Sequence, residues 1–256
     1  GGLKLGFEES EQAPYDSGSQ VARVITEQWG GSEAYCPHCG RQPLVRFPNN
    51  KPVADFYCAN CNEQFELKSQ KAKFGAKIVD GAYRTMCERL AERNNPNLML
   101  MQYARDSGVS NLLVVPKHFF IVDIIEKRKP LSEQARRKGW VGCNILFSRI
   151  PDAGKIYIVR DCVVCDKQSV IEQWRKMVFL REESASSASW LLNVMKCVEE
   201  IGASEFSLDQ VYAFEQRLSG LYPMNRHVRQ KIRQQLQVLR DKGFLQFLGN
   251  ARYRRL

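Results

Sequence analysis

The chain has 256 residues, and 38 lysines and arginines against 28 aspartates and glutamates give it a formal net charge of +10. Hydrophobic residues make up 44% and charged residues 26%, which excludes a chain that is disordered throughout. No apolar run approaches the roughly 18 residues of a membrane-spanning helix, and the N-terminal segment lacks the apolar core of a signal peptide. We therefore expect a soluble, cytoplasmic protein without membrane association, folded as one large or two modest domains.

Helical and strand patterns alternate over the first two thirds of the chain, which favours an α/β (α+β) fold there. Ser19 is the expected N-cap of the first helix. The predicted helices are Ser19–Trp29 and Asp80–Arg93, the predicted strands are Leu98–Tyr103, Leu112–Val115 and Lys155–Arg160, and the predicted basic loop is Lys129–Asn144.

Nine cysteines, an odd number, argue against a disulfide framework. Four of them, Cys36, Cys39, Cys58 and Cys61, have the spacing C-x2-C-x18-C-x2-C, which is typical of a tetrahedral zinc site. Four thiolates complete the coordination shell, so we expect a structural zinc ion. His38, inside the first pair, is expected to be a bystander. The other five cysteines are expected to pack as small hydrophobic residues.

The segment around the second cysteine pair predicts a β-hairpin with strands Val53–Tyr57 and Glu63–Lys68 and the pair at its turn. Strand alternation places Glu66 and Lys68 on one face, and the antiparallel return brings Asp55 beside them. Two carboxylates can hold Mg²⁺, and a nearby ammonium can orient a water and offset charge on a phosphate. This D-x10-E-x-K pattern resembles the PD-(D/E)xK nuclease motif.

A Ser/Ala-rich stretch, Ser184–Ser189, predicts a boundary between domains 1–183 and 184–256. Beyond it the patterns predict three helices and a hairpin. The predicted helices are Trp190–Ile201, a segment from Ser207 to Leu221 and Asn225–Lys242, and the hairpin strands are Phe244–Leu248 and Ala251–Leu256.

The C-terminal 33 residues, 224–256, hold nine basic residues and one acidic residue, a charge pattern that favours binding to a polyanion. On the third helix an apolar stripe predicts a core face, and glutamine and arginine side chains opposite it suit adenine and guanine edges. Arginines of the hairpin suit phosphate contacts. A solvated helix face is the alternative for the glutamines. The predicted DNA contacts here are Arg226, Arg229, Gln230, Arg233, Gln234, Gln237, Arg252 and Arg254.

The chain resembles the DpnI-type restriction endonucleases, which cut adenine-methylated DNA. The resemblance runs in order along nearly the whole chain. It is carried by Ser19-Gln20, Ala22-Arg23, Thr26-Glu27, Trp29, Cys36–Gly40, Pro52–Cys58, Phe65–Ser69, Asp80–Tyr83, Asn94–Asn97, Ala135–Arg137, Gly139–Asn144, Lys231–Gln237 and Leu239–Lys242.

This resemblance implies a zinc-bearing nuclease domain followed by a winged helix, and recognition of GATC with N6-methylated adenine. By motif match, Asp55, Glu66 and Lys68 are the catalytic set, with Asp55 and Glu66 as Mg²⁺ ligands. The resemblance also favours Trp140, which follows Arg136 and Arg137 in the basic loop, as a flat apolar contact to the methyl groups.

For Glu27, on the first helix, we expect exposure to solvent, and a position facing the metal site is the alternative. The residue patterns predict a Mg²⁺-dependent nuclease that binds DNA, and the resemblance implies a type II restriction endonuclease of a restriction system, specific for N6-adenine-methylated GATC. It would act on double-stranded DNA as a monomer, without a protein partner. The alternative is a non-catalytic zinc and winged-helix protein that senses adenine methylation, with Glu66 and Lys68 as a surface ion pair.

Overall fold

The computed structural model describes residues 2–8, 18–48 and 54–256, which divide into two compact units. The N-terminal unit comprises Gly1–Ser148 and Ala153–Val178, and the C-terminal unit comprises Arg149–Asp152 and Phe179–Leu256. The boundary predicted between residues 183 and 184 stays a prediction. None of the helices in the described ranges combines the length and the apolar character that crossing a bilayer requires.

The N-terminal unit is built on one mixed sheet and one small sheet. Its strands are β1 (Val45–Arg46), β2 (Phe56–Tyr57), β3 (Gln64–Gln70), β4 (Ile78–Ala82), β5 (Asn97–Ala104), β6 (Gly108–Val115), β7 (Ile125–Lys127), β8 (Gly142–Ile145), β9 (Ile156–Arg160) and β10 (Val163–Val164). Its helices are α1 (Gly18–Glu33), α2 (Tyr83–Glu92) and α3 (Lys167–Met177).

The large sheet has the order β1-β2-β3-β5-β6-β9-β10, and the small one has the order β4-β8-β7. Strands β3 and β5 run parallel, and the other neighbours in both sheets are antiparallel. The β5–β6 pair is the centre of the core, because nearly every apolar side chain on it is buried. The predicted strands Leu98–Tyr103 and Leu112–Val115 are therefore confirmed as the buried strands β5 and β6.

Helix α1 lies beside β3, and its buried residues include Val21, Ile25 and Trp29, which form an apolar stripe along one side of the helix. The hydroxyl of Ser69 on β3 donates to the Thr26 hydroxyl at 3.1 Å, and that hydroxyl donates in turn to the Ala22 carbonyl at 2.8 Å. These contacts fix the helix against the strand that carries the E-x-K sequence.

The C-terminal unit combines four α-helices with a small antiparallel sheet of order β11-β13-β12. At the hairpin turn, Asn250 and Ala251 have φ of 51° and 54°, as a type I′ turn requires. The elements are α4 (Ala185–Ile201), β11 (Glu205–Ser207), α5 (Leu208–Tyr212), α6 (Glu215–Leu221), α7 (Val228–Asp241), β12 (Leu245–Gly249) and β13 (Arg252–Arg255).

Several predicted boundaries were wrong in the N-terminal unit. Helix α1 begins at Gly18, so Ser19 lies within it and is not the N-cap. Asp80 lies on β4, because Ile78–Ala82 pairs with β8, and the helix begins only at Tyr83. The end of the predicted basic loop is strand β8. The predicted start of the hairpin at Val53 lies outside the described residues.

In the C-terminal unit the predicted second helix is two helices, α5 and α6, separated at Ala213 and Phe214. The predicted third helix begins at Val228, so Arg226 precedes it and does not lie on its polar face. Strand β11 was missed because three residues give no periodicity to read.

Candidate active site and DNA-binding surface

The second cysteine pair is the turn of a β-hairpin, as predicted. Phe56 pairs with Phe65, and Tyr57 with Gln64. The Cys58 N–H donates to the Glu63 carbonyl at 2.8 Å, which closes the turn. The pairing register of β3 with β2 is therefore fixed within a few residues of Cys58 and Cys61.

The four predicted zinc ligands lie together, with all Sγ atoms within 4.8 Å of one another. The Sγ atoms of Cys36 and Cys61 are 3.5 Å apart, as are those of Cys39 and Cys58. A tetrahedral zinc site with Zn–S bonds of about 2.3 Å separates its sulfurs by about 3.8 Å. The cluster could hold zinc with little adjustment.

The chemistry of the cluster also suits a metal ion. Burial raises the pKa of Cys36, and burial is also the largest cause that raises the pKa of Cys61 to about 11. Thiolates at these positions therefore need a nearby cation, which Zn²⁺ bound by the cluster would supply. His38 is outside the ligand group, as predicted, since its Nδ1 accepts a hydrogen bond from Trp174 Nε1 at 2.8 Å.

The remaining cysteines only partly follow the packing prediction. Cys143 and Cys197 are buried, and Cys87 and Cys165 are half-buried. Cys162 is exposed, so the prediction was wrong there. It occupies a tight turn with a φ of 64°, which turns its side chain away from the core.

Asp55 lies beside β3, as the antiparallel return requires. Its backbone N–H donates to the Phe65 carbonyl at 2.9 Å, and its Oδ2 accepts from the Leu67 N–H at 2.7 Å. Burial raises the pKa of this carboxyl above its usual value, against the opposing effect of the Leu67 hydrogen bond. A cation in front of Asp55 would offset the cost of burying its charge.

Glu66 and Lys68 share one face of β3, and Lys68 Nζ is 3.6 Å from Glu66 Oε1. The same Nζ is 3.1 Å from Asp80 Oδ1 and donates to the Val79 carbonyl at 3.2 Å. The lysine is thus held between β3 and β4, in two sheets of the same unit.

Electrostatics separates the roles of these two residues. Burial, followed by the charge of Asp80, raises the pKa of Glu66 to about 7. Burial lowers the pKa of Lys68, but Asp80 and Glu66 outweigh that effect and raise it overall. Lys68 is therefore a cation at neutral pH, suited to stabilising negative charge and unsuited to accepting a proton.

An open cleft of about 440 Å³ lies between helix α1 and the hairpin, and its lining includes Asp55, Glu66 and Glu27. Glu27 is not simply exposed: its carboxylate pairs with Arg23 at 2.8 Å and with Arg46 at 3.0 Å. The alternative position for Glu27, facing the site, is the one that the structure has. The other two carboxylates at the cleft, Asp55 and Glu66, are oxygen ligands of the kind that Mg²⁺ binds.

Asp80 is the residue of this region that the sequence reasoning missed. It was assigned to a helix because Asp80–Arg93 has helical composition, and on a helix it has no relation to Lys68. The apolar pair Ile78-Val79 just before it is the signal that indicates a strand.

The predicted DNA contacts on α7 fall into two groups. Gln230, Arg233 and Gln234 are exposed, and their side chains make no hydrogen bond or ion pair within the described residues. By contrast, Arg229 pairs with Glu215 at 2.9 Å, and Gln237 donates to Asp241 at 2.8 Å.

The hairpin arginines are also unequal. Arg252 is exposed, and Arg254 pairs with Glu205 at 2.8 Å. Arg226, which precedes α7, is also exposed. An arginine that is paired with a carboxylate must break that ion pair before all of its guanidinium donors can bind a phosphate.

In the N-terminal unit, Trp140 is half-buried next to β8. The guanidinium of Arg137 lies 4.9 Å from the centre of its ring, and a Cβ on Gly142 would come within 2.8 Å of the ring atom Cζ3. Arg136 is exposed. The tryptophan is thus held by its neighbours with part of its ring at the surface.

A comparison with protein families gives the context of these sites. The model of the Dam-replacing family, DpnI, matches residues 3–183, and the model of the Dam-replacing HTH domain of DpnI matches residues 186–255. The chain belongs to the DpnI family. The resemblance read from the sequence is confirmed, and membership supports a methylation-dependent restriction endonuclease, a nuclease that acts on DNA.

The predicted fold class is also confirmed: a mixed α/β unit with a sheet core and a four-cysteine cluster, followed by a C-terminal HTH domain. The HTH domain implies that the protein binds DNA. The individual roles of the catalytic, metal-binding and DNA-binding residues stay predictions.

Replacing Cys58 with Ser should abolish stoichiometric zinc and lower the melting temperature, because one thiolate of the cluster is lost and the hairpin turn loosens. Metal analysis of the purified protein and thermal unfolding measure both effects. Cys162→Ser is the matched control, since Cys162 is exposed and outside the cluster. Full zinc content in the Cys58 variant would contradict the four-thiolate site.

Replacing Arg233 with Ala should weaken DNA binding more than replacing Arg229 with Ala, because Arg229 already pairs with Glu215 and Arg233 has no such partner. A base contact of this kind contributes about 1–3 kcal/mol, so we expect a loss of about 5–150-fold for Arg233→Ala. Binding titrations with a fluorescent duplex in Ca²⁺ test this order. Equal losses in the two variants would contradict it.

Proposed function

We propose that this chain is a Mg²⁺-dependent type II restriction endonuclease that hydrolyses phosphodiester bonds of double-stranded DNA at GATC sites with N6-methylated adenine. The observation that carries the proposal is the convergence of Asp55, Glu66 and Lys68 on one hairpin that borders an open cleft. A cytoplasmic location and a monomeric state, both expected from the sequence, are part of the same proposal.

The chain's residues divide the chemistry among them. Asp55 and Glu66 would hold Mg²⁺, which when bound polarises the phosphate and stabilises the charge that develops on it. The Leu67 N–H keeps Asp55 turned toward the cleft. Lys68 brings a fixed positive charge that orients the attacking water and offsets charge on the phosphate. Its high pKa leaves the proton on Lys68 throughout.

Recognition would use both units. In the C-terminal unit, the exposed glutamines Gln230 and Gln234 suit adenine edges, and Arg233 suits guanine. N6-methylation leaves adenine one N6 hydrogen and adds an apolar group, so a reader needs an apolar surface as well. Trp140 of the N-terminal unit offers such a surface, with Arg136 and Arg137 beside it for phosphates.

Incubation with Mg²⁺ and two plasmids that differ only in adenine methylation at GATC tests the function directly. We expect cutting of the methylated plasmid alone. Absence of cutting on both, with intact zinc and tight DNA binding, would support the alternative of a non-catalytic reader of methylation.

Replacing Asp55 with Ala should abolish cutting and leave DNA binding within about twofold of the original, because the change removes a predicted metal ligand and no DNA contact. Asp106→Ala, at an exposed carboxylate of the β5–β6 turn, is the matched control and should cut normally. Cutting at the normal rate by Asp55→Ala would show that the active site lies elsewhere.

The Mg²⁺ requirement should depend on pH. Without metal the pKa of Glu66 is about 7, raised first by burial, so below pH 7 the carboxyl is protonated and Mg²⁺ must displace the proton. The half-saturating Mg²⁺ concentration should therefore rise up to about tenfold per pH unit below 7 and change little above it. Initial cutting rates against Mg²⁺ at pH 6, 7 and 8 measure this. A constant requirement across that range would contradict the role of Glu66 as a ligand.

A further inference from the structure

Asp80 lies nearer to the predicted catalytic lysine than the predicted metal ligand Glu66 does. Lys68 Nζ is 3.1 Å from Asp80 Oδ1 and 3.6 Å from Glu66 Oε1. Both Lys68 and Asp80 are largely shielded, with side chains 23% and 13% exposed. An ion pair with this degree of shielding is less weakened by solvent than one on an open surface.

We propose that Asp80 is a positioning residue that holds the Lys68 ammonium in place for the nuclease reaction. This inference rests on the proposed function, since it assigns a partner to the lysine of that same site. Asp80 acts through Lys68 and does not itself contact the phosphate.

The hydrogen-bonding capacity of the ammonium shows how this works. A lysine ammonium has three hydrogens to donate. The Asp80 carboxylate at 3.1 Å and the Val79 carbonyl at 3.2 Å account for two of them. The third contact, to Glu66 at 3.6 Å, exceeds the usual 2.7–3.2 Å of a hydrogen bond. The third hydrogen is therefore the one available to a water or a phosphate oxygen beside Glu66.

Asp80 also limits how closely the Lys68 ammonium pairs with Glu66. Without Asp80, the nearest carboxylate to the ammonium would be Glu66, and a close pair between them would occupy an oxygen that the metal needs. Because Asp80 and Val79 both lie on β4, they draw the ammonium toward that strand and away from Glu66. The two functions of the E-x-K sequence, metal binding and charge stabilisation, are thereby kept apart.

The backbone around Asp80 is built to hold this position. Asp80 pairs with Cys143 of β8, and the register between the two strands shifts between Asp80 and Ala82. Such irregularities re-aim side chains next to active sites. Immediately beyond, the Tyr83 N–H donates to the Val141 carbonyl at 3.1 Å as α2 begins. Asp80 is thus fixed on both sides by hydrogen-bonded backbone.

The experiment compares single-turnover cutting of methylated plasmid by Asp80→Ala, Asp80→Asn and Asp106→Ala, with DNA binding in Ca²⁺ and melting temperature measured in parallel. Asp80→Ala should lower the cutting rate about 10–100-fold with binding unchanged, because the ammonium loses its anchor. Asp80→Asn should lose less, since its amide oxygen still accepts from Nζ. Asp106→Ala should match the original protein.

A double-mutant cycle with Lys68→Ala separates a positioning role from a general structural one. If Asp80 acts through Lys68, adding Asp80→Ala to Lys68→Ala should lower the residual rate no further. An equal loss in both backgrounds would overturn the inference, as would cutting by Asp80→Ala at the normal rate. Recovery of the full rate at high Mg²⁺ would also overturn it, because Asp80 would then serve the metal.

The cycle also distinguishes failure of this inference from failure of the proposed function. If Lys68→Ala itself cuts normally, the assignment of the catalytic lysine is wrong. If Lys68→Ala is impaired and Asp80→Ala is not, the assignment stands and Asp80 has no part in it.

Discussion

The site depends on the cluster of four cysteines that joins two distant points of the chain. Cys36 and Cys39 precede β1, and Cys58 and Cys61 form the turn between β2 and β3. A metal ion bound to all four would fix the turn against the rest of the unit, and with it the register of β3. Because a shift of one residue would move Glu66 and Lys68 to the opposite face, this constraint decides which side chains border the cleft. Zinc bound there would be structural, and the arrangement of the proposed active site would still depend on it.

Charge organises the rest of the site. Two carboxylates and a lysine are buried enough that burial is the largest single influence on the pKa of Asp55, Glu66 and Lys68. Neutral residues at these positions would make the folded protein more stable, since burying a charge costs free energy unless the charge is paired. The proposed function accounts for this cost: a bound cation would stabilise the two buried carboxylates, and the Lys68 ammonium pairs with Asp80.

Much of this could be predicted from the sequence, and the reasons are specific. The cysteine spacing and the alternation of β3 are local signals, so the hairpin, the zinc ligands and the shared face of Glu66 and Lys68 were accessible. Glu27 and Asp80 depend on which elements come together, through helix α1 beside β3 and the pairing of β4 with β8. That pairing overrides the helical composition of the segment that follows Asp80, and its local signal is no more than the short apolar pair Ile78-Val79. The start of helix α7 is a second example. The sequence pattern placed the start at Asn225, but the helix begins at Val228, so Arg226 precedes it and does not lie on its polar face.

The acidic partners of arginines on the C-terminal unit affect how strongly its basic surface attracts DNA. Arg229 and Arg254 each pair with a glutamate, Glu215 and Glu205. An arginine in such a pair gains less from a phosphate than an unpaired one, because the existing ion pair must be weakened first. The pairs therefore reduce the attraction to any DNA backbone, which is the part of affinity that carries no sequence information. Gln230, Arg233 and Gln234 have no such partner among the described residues, so direct base contacts can make up a larger share of the binding free energy.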